Sequence, residues 1–121
     1  LSKLSSVSNR LGDDRENIKT LYISVDPERD TPEVLKEDLA SFKLDALGLT
    51  GTRAEIDKVV GQYGASYDIV PTPTSVAKYT VASTTILYVL DKQGRMRLQL
   101  PYEATVDEIL QGIRAVLAEG E

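Results

Sequence analysis

The spacing of apolar positions predicts a helix at the start of the chain and a strand after it. Apolar residues recur at helical spacing at Leu1, Leu4, Val7 and Leu11. Gly12 follows them, and glycine often terminates helices. A polar connection over residues 13–17 separates this helix from the predicted strand 18–25, in which residues 21–25 are an almost unbroken apolar, β-branched and aromatic run. An almost unbroken apolar run of this kind predicts a strand that is covered on both faces.

Residues 21–32 are the stretch on which the rest of the chain is organised, because the strand stops there, a rigid turn forms and a second helix begins. Pro27 has no backbone N–H to donate and therefore ends the strand. Thr31 supplies a capping hydroxyl, and Pro32 suits the first helical position. We expect the second helix to run from Pro32 to about Phe42 and to bury one stripe: Val34, Leu35, Leu39 and Phe42.

Turn signals and short apolar runs alternate in the middle of the chain. Residues 46–49 predict a short strand. Thr52 and Glu55 have the spacing of a capping box, which predicts a third helix that Gly64 terminates. Residues 65–78 contain the sequence Pro-Thr-Pro-Thr-Ser, and proline fits neither a helix interior nor a central strand. We therefore expect residues 65–78 to be the longest loop.

The last third of the chain predicts a hairpin and a helix. Residues 84–90 form a second continuous apolar run, which predicts a strand buried on both faces, and residues 91–94 form a turn. Alternate positions of the next strand are apolar: Met96, Leu98 and Leu100. Thr105 and Glu108 form a second capping box ahead of a C-terminal amphipathic helix. The order of elements indicates an α/β fold, a mixed sheet with helices on both faces.

Composition excludes several classes of function. The 121 residues fit one domain, and 41% hydrophobic residues are enough for a core. The net charge of −5 argues against a nucleic-acid or acidic-membrane surface, which needs clustered lysine and arginine. No apolar run approaches the roughly 20 residues of a membrane span, and no basic and apolar leader opens the sequence. We expect a soluble chain.

The sequence contains no cysteine and no histidine. Their absence removes thiolate nucleophiles, disulfide exchange, structural zinc, copper(I) sites and imidazole acid-base catalysis from the candidate chemistries. The absence does not indicate a compartment, because a chain without thiols suits reducing and oxidising surroundings equally.

Three segments carry a resemblance to a known family. They read Ile-Ser-Val-Asp-Pro-Glu-Arg-Asp-Thr-Pro at 23–32, Gly-Leu-Thr-Gly-Thr at 48–52, and Tyr-Thr-Val at 79–81 ahead of Ile-Leu-Tyr-Val-Leu-Asp at 86–91. With these segments in this order, the chain resembles the Sco/SenC family from Leu4 to about Leu117. The resemblance implies a thioredoxin-like fold and a role in delivering copper to, or reducing the thiols of, the copper A centre of cytochrome c oxidase. It also implies an anchor at the bacterial periplasmic membrane or, alternatively, at the mitochondrial inner membrane.

The chain departs from the family at all three copper ligands that the resemblance implies. The family's Cys-x-x-x-Cys motif lies just before the helix that begins here at Leu1, so we expect the sequence to be truncated after that motif. The family's metal-binding histidine follows Tyr-Thr-Val-Asp, and Ser83 stands at that position here. A serine hydroxyl is a hard, weak ligand that does not replace imidazole toward copper. We therefore expect no catalytic, cofactor-binding or metal-binding residue in this chain.

Three functional hypotheses from different classes follow. The first is a Sco/SenC-like scaffold without copper, thiol or enzyme chemistry that binds a protein partner, such as a cytochrome c oxidase subunit or assembly factor. The second is an active copper chaperone or thiol-disulfide reductase whose cysteines lie upstream of Leu1. The third is an unrelated enzyme that uses carboxylates, for which the sequence offers no supporting constellation. We favour the first hypothesis for this chain and the second for the ancestral protein from which it descends.

Two loop segments superficially match ligand-binding motifs. Four carboxylates have the offsets of a calcium loop: Asp26, Glu28, Asp30 and Glu37. Thr31 replaces the required glycine, so a turn whose carboxylates cap a helix and pair with Arg29 explains them better. Residues 48–52 lack the lysine of a phosphate-binding loop and are better explained as a turn and a helix cap. Asp26 ends a parallel strand, where open α/β sheets usually bind ligands, but no base or nucleophile accompanies it.

Met96 and three tyrosines are further candidates for contact with a ligand or partner. Met96 carries the only sulfur in the chain, and its alternation with two leucines favours core packing over metal ligation. Tyr63, Tyr67 and Tyr79 flank the predicted long loop and would suit a recognition surface. Packing on a helix stripe and anchoring of the loop explain these tyrosines better.

The family fold places its first strand between residues 18–25 and residues 84–90, and this sequence lacks that strand. The gap would be filled by direct pairing of the two runs, by a segment of a second copy or by an upstream segment. Bare strand edges are hazardous in water, and direct pairing keeps the most contacts, but it would leave part of the apolar stripe of the first helix exposed. Because such exposure favours self-association, we expect the 121-residue chain to be a dimer or to aggregate. A chain extended upstream by the missing strand is expected to be a soluble monomer.

Overall fold

The computed structural model describes residues 1–72, 78–83 and 86–119. The α-helices in this part of the chain are α1 (Ser2–Leu11), α2 (Pro32–Ser41), α3 (Arg53–Gln62) and α4 (Val106–Glu119), and a 3₁₀ helix covers Gly12–Asn17. The strands are β1 (Leu21–Ile23), β2 (Leu47–Leu49), β3 (Tyr67–Thr72), β4 (Lys78–Ser83), β5 (Ile86–Leu90) and β6 (Met96–Pro101). The α/β class is confirmed. None of the helices described is long and apolar enough to cross a membrane.

The strands described form three two-stranded sheets. β1 and β2 are parallel, with Leu21 opposite Leu47 and Ile23 opposite Leu49. β3 pairs with β4, and β5 pairs with β6, in both cases antiparallel. Parallel and antiparallel pairing therefore occur together, as predicted from the order of elements.

The chain divides into two compact units. Unit 1 consists of residues 1–20, 39–45 and 85–121, and unit 2 consists of residues 21–38 and 46–84. The main apolar cluster lies in unit 1, where α1 packs against α4 and the turn before it: Val7, Leu11, Ala104, Ile109 and Leu110. The first and last helices of the chain thus form the core of one unit.

Gly112 allows α4 to lie close to β6 within unit 1. A Cβ atom at this position would lie 2.9 Å from Cδ1 of Leu98 and 3.8 Å from Cδ1 of Leu100. The shorter distance is too close for two carbon atoms, so a side chain at position 112 would displace Leu98. The glycine therefore leaves room for the Leu98 side chain between α4 and β6.

Both predicted capping boxes are present. Thr52 Oγ1 accepts a hydrogen bond from the N–H of Glu55, and Glu55 Oε1 accepts one from the N–H of Thr52. Thr105 and Glu108 make the same reciprocal pair at the start of α4. Gly12 follows α1 with a φ of 59°, a conformation that glycine adopts without strain. These local signals explain why the helix ends lie close to their predicted positions.

We expect Thr105→Ala to lower the free energy of unfolding by about 1 kcal/mol, because the N–H of Glu108 loses its acceptor. Urea unfolding of the wild type and the variant measures the change. Ser6→Ala, at an exposed position in α1, is the control and should change the free energy of unfolding by less than about 0.5 kcal/mol. Equal effects of the two substitutions would contradict a special role for the cap.

The two apolar runs are not buried on both faces, which corrects the prediction made for them. β1 is shorter than residues 18–25, and Leu21 and Ile23 are 52% and 39% exposed. β5 likewise exposes Ile86 and Leu90. Among the described strands, β1 and β5 each pair with one neighbour. Each therefore lacks the second neighbour that a buried central strand has.

The loop predicted for residues 65–78 is wrong over residues 67–72 and at Lys78, which lie in strands. β3 and β4 form an antiparallel two-stranded ribbon that begins with the pair Tyr67 and Ser83. Pro71 lies inside β3, where it is tolerated because a strand of a two-stranded sheet is an edge strand. Residues 73–77, on which part of the loop prediction fell, lie outside the described residues.

Two side chains that were predicted to be buried are exposed. Phe42 is 43% exposed and lies just after the end of α2. Met96 is 37% exposed. The pairing register of the hairpin shifts next to Leu90, the partner of Met96. The predicted alternation therefore holds for Leu98 and Leu100, which are half-buried, and fails at Met96.

Candidate functional site

The loop after β1 places a buried carboxylate where α/β sheets usually bind ligands. The N–H of Ser24 donates to the carbonyl of Leu49 at 3.0 Å, which extends the parallel pairing one residue beyond β1. Ser24 and Asp26 are 2% and 6% exposed. The carbonyl of Asp26 accepts a hydrogen bond from the N–H of Asp30 at 2.9 Å. The backbone on both sides therefore fixes the Asp26 carboxylate.

Asp26 accepts hydrogen bonds from two side chains. Arg29 Nε donates to Asp26 Oδ2 at 2.5 Å, and Tyr79 Oη donates to Asp26 Oδ1 at 3.0 Å. Arg29 Nη1 also donates to the carbonyl oxygen of Tyr79 at 3.1 Å. The Arg29 guanidinium lies over the Tyr79 ring, 4.0 Å from its centroid. These contacts join the loop after β1 to strand β4.

Burial and hydrogen bonding shift the pKa values of these three groups. Burial alone raises the pKa of Asp26, but the hydrogen bonds from Arg29 and Tyr79 outweigh burial and hold it below the ordinary value of 3.8. The hydrogen bond to Asp26 raises the pKa of Arg29. Burial, followed by the hydrogen bond to Asp26, raises the pKa of Tyr79. At pH 7 the carboxylate and the guanidinium are therefore charged and the phenol is neutral.

Arg53 makes a second set of contacts of the same kind. Its Nη1 donates to the carbonyl of Val25 at 2.8 Å and to Tyr67 Oη at 3.0 Å, and its Nη2 pairs with Glu28 at 3.3 Å. The guanidinium lies 5.3 Å from the centroid of the Tyr67 ring. The Tyr67 hydroxyl in turn donates to Asp57. Arg53 therefore connects the loop after β1, helix α3 and strand β3.

We call these residues the arginine–tyrosine cluster: Asp26, Glu28, Arg29, Arg53, Asp57, Tyr67 and Tyr79. All of them belong to unit 2. The structure thus brings together three of the candidates named from the sequence, Asp26, Tyr67 and Tyr79. Tyr63 has a different place, as the C-cap residue of α3.

The carboxylates that resemble a calcium loop contact different partners. Asp26 and Glu28 pair with the two arginines, and Asp30 accepts a hydrogen bond from Ser24 Oγ at 2.5 Å. Glu37 is exposed on α2. Across residues 1–72, 78–83 and 86–119, no three side chains of His, Cys, Asp or Glu are grouped as a metal ion requires. The ion pair between Arg29 and Asp26 agrees with the interpretation of this segment as a turn whose carboxylates pair with Arg29. The Asp26 carboxylate in this pair is buried.

Sequence reasoning missed Arg53, although one signal was available. Arg53 is the first residue of α3, where the positive end of the helix dipole disfavours a cation. A cation in this place needs compensating acceptors, and the carbonyl of Val25 and the carboxylate of Glu28 provide them. Ser24 was missed because a single hydroxyl at the end of an apolar run gives no comparable signal.

Ser83 occupies the position of the histidine that the family resemblance implies, and it is the last residue of β4. Its backbone is opposite that of Tyr67, a residue of the arginine–tyrosine cluster. Position 83 is therefore paired with Tyr67, whose hydroxyl contacts Arg53.

The donor atoms of this chain lack most of the ligand types that copper(I) prefers. Copper(I) prefers thiolate, thioether and imidazole ligands. The sequence offers one methionine and neither cysteine nor histidine. The sulfur of that residue, Met96, accepts a hydrogen bond from Gln99 Nε2 at 3.0 Å and has no second soft donor in the sequence to join it.

Comparison with known proteins shows a match along almost the whole chain. The family profile described as SCO1/SenC matches residues 1–118. The SCO2-like protein of Rickettsia prowazekii is 30% identical over 111 residues, which cover 92% of this chain and 54% of that protein. Protein SCO2, mitochondrial, of Saccharomyces cerevisiae is 39% identical over 88 residues, which cover 69% of this chain and 28% of that protein. The chain thus spans about half, or less, of the length of these relatives.

A solved structure shares the fold. Bradyrhizobium japonicum ScoI with copper bound matches this chain with a TM-score of 0.83 and 34% sequence identity. The match covers 96% of this chain and 73% of that chain. The thioredoxin-like fold that the resemblance implied is thereby confirmed.

Proposed function

Because the chain belongs to the SCO1/SenC family, we propose that it acts in the copper delivery and cytochrome c oxidase assembly to which this family is related, as a protein-binding scaffold that does not itself carry copper. The observation that supports this proposal is the lack of the side chains that normally bind copper in this family. The sequence has neither cysteine nor histidine, and Ser83 occupies the position of the family's histidine. A thiol reductase activity would need the same missing cysteines, so the proposal includes no enzyme activity.

Exposed aliphatic side chains in unit 2 support binding to another protein. They lie on the β1–β2 sheet and on β3: Leu21, Ile23, Leu47, Leu49, Ile69 and Val70. The four on the β1–β2 sheet form two opposite pairs, Leu21 with Leu47 and Ile23 with Leu49, and exposed apolar surface of this kind is typical of protein contacts. The partner we propose is a cytochrome c oxidase subunit or an assembly factor. For the purified chain alone, we propose that a second copy occupies the β1–β2 face.

The relatives support two locations. A bacterial protein and a yeast protein named as mitochondrial both match this chain. We propose the periplasmic face of a bacterial inner membrane, with the mitochondrial inner membrane as the alternative.

The proposal predicts that the purified chain does not remove copper(I) from a competing chromophoric chelator. Ser83→His should not create a tight site, because a soft-metal site also needs two thiolates. Titration of both proteins against the chelator measures this. A stoichiometric site in the unmodified chain that survives millimolar salt would contradict the proposal.

The second candidate is an active copper chaperone or thiol-disulfide reductase that uses cysteines upstream of Leu1. The copper-bound ScoI that matches this chain favours testing this candidate directly. The test fuses a Cys-x-x-x-Cys segment ahead of Leu1 and compares position 83 as serine and as histidine. If the serine protein takes copper(I) from the chelator as well as the histidine protein, the second candidate is preferred. If only the histidine protein does so, Ser83 is the determinant.

A further inference from the structure

The described aliphatic side chains of β3 contribute little apolar packing to the β3–β4 ribbon. Ile69 and Val70 are consecutive residues of β3 that point to opposite faces, and they are 45% and 44% exposed. Among the described strands, β3 and β4 pair only with each other. A two-stranded ribbon is marginally stable by itself. Its fixed position in unit 2 therefore depends on other contacts.

The arginine–tyrosine cluster supplies these contacts at two separate points of the ribbon. We call each pair of opposite residues in the ribbon a rung. Tyr67, in the rung with Ser83, contacts Arg53. Tyr79, in the rung with Pro71, contacts Asp26 and Arg29. The two rungs are roughly 13 Å apart, from four residues at about 3.3 Å each. One attachment would allow the ribbon to pivot, whereas two attachments fix its direction.

We propose that Asp26, Arg29 and Arg53 form a two-point polar latch on Tyr67 and Tyr79, and that the ribbon opens as a unit when the latch is released. The latch is accessible, since the side chains of Arg29 and Arg53 are 40% and 30% exposed. Release costs hydrogen bonds and ion pairs but uncovers little apolar surface on β3. Opening of such a segment occurs well before global unfolding. The ribbon that carries position 83 is then a movable element of the fold.

Hydrogen exchange of the backbone amides in Tyr67–Thr72 and Lys78–Ser83 tests the latch. Tyr67→Phe and Tyr79→Phe each remove one hydroxyl and keep the ring. We expect each substitution to speed exchange of protected amides along the whole ribbon by at least about tenfold, because Tyr79→Phe removes one hydrogen bond to a charged group and Tyr67→Phe removes two. The double variant should speed exchange by about the product of the two factors, while amides of α1 and α4 keep their wild-type rates. Tyr102→Phe, at a tyrosine that is 65% exposed in unit 1, is the matched control and should leave the ribbon unchanged.

Three results would overturn the latch. They are unprotected ribbon amides in the wild type, acceleration confined to the rungs next to each substitution, and equal acceleration in α1 and α4. Should Tyr79→Phe fail to fold, Arg29→Lys tests the same point, because lysine keeps the charge and loses the contacts from Nε and Nη1. Arg29→Lys should also accelerate exchange along the whole ribbon, and unchanged ribbon exchange in that variant would contradict the proposal.

Discussion

Asp26→Asn should lower the free energy of unfolding by about 2 kcal/mol at pH 7, because hydrogen bonds to a charged acceptor become hydrogen bonds to a neutral one. The substitution keeps the shape of the side chain but places an amide NH₂ where one of two donors, from Arg29 or Tyr79, now points. That donor loses its acceptor, which adds to the cost. Urea unfolding at pH 7 measures the difference.

The same carboxylate gives stability a defined dependence on pH. Its pKa in the folded chain lies below the ordinary value of 3.8, so in acid the unfolded chain binds the proton more readily. The stabilisation is therefore present above about pH 3.8 and is lost as the pH falls through the lower folded pKa. Over this acidic range the wild type should lose stability more steeply than Asp26→Asn.

A matched control is Asp45→Asn, which changes an exposed carboxylate just before β2. This variant should keep both the stability at pH 7 and the acidic slope of the wild type. If Asp26→Asn also kept the wild-type slope, the contacts of Asp26 would not form in solution.

The purified chain should associate into weak dimers through the β1–β2 face. Leu21 and Leu47 lie opposite each other and are both 52% exposed, and the next pair, Ile23 and Leu49, is 39% and 40% exposed. Covering the exposed part of each side chain stabilises a dimer by about 1 kcal/mol, or about 8 kcal/mol for two faces of four side chains. Association costs at least about 4 kcal/mol. The small surplus predicts a dimer that dissociates on dilution.

Leu21→Lys combined with Leu47→Lys should weaken this dimer by at least about 100-fold, because four lysines would meet at the centre of the contact. Sedimentation at several protein concentrations measures the dissociation constant. Ala54→Lys combined with Gln62→Lys adds the same charge to exposed positions of α3 and should leave the dimer intact. A wild-type chain that stays monomeric at every concentration would show that this face does not bind a second copy.

Helix ends could be predicted because nearby residues determine them. The reciprocal hydrogen bonds of Thr52 with Glu55 involve residues three positions apart, and the positive φ of Gly12 depends on its own missing side chain. Sequence patterns contain this information directly.

Burial of the strands could not be predicted in the same way. An apolar run such as residues 18–25 shows that its side chains favour burial, but strand pairing decides whether neighbours are available to cover them. The ribbon was missed because Pro71 excludes only a central strand, and no local signal in the sequence indicates the edge strand that remains possible there.

The candidate site was partly predictable. Asp26 was identified from its place at the end of a parallel strand, and its partner Arg29 is close in sequence. Tyr79 lies 53 residues away, so no local pattern connects its hydroxyl to Asp26. The importance of Arg53 likewise depends on a carbonyl 28 residues earlier in the chain.

The core of unit 1 also has a consequence for synthesis in the cell. Val7 and Leu11 of α1 pack against Ile109 and Leu110 of α4, which the ribosome makes about 100 residues later. At about 5–20 residues per second, α1 waits for roughly 5 to 20 s before α4 is made. During that interval the nascent chain presents an uncovered amphipathic helix to chaperones and to other nascent chains. The yield of folded protein should therefore depend on chaperone capacity during translation, before the stability of the finished fold has any influence.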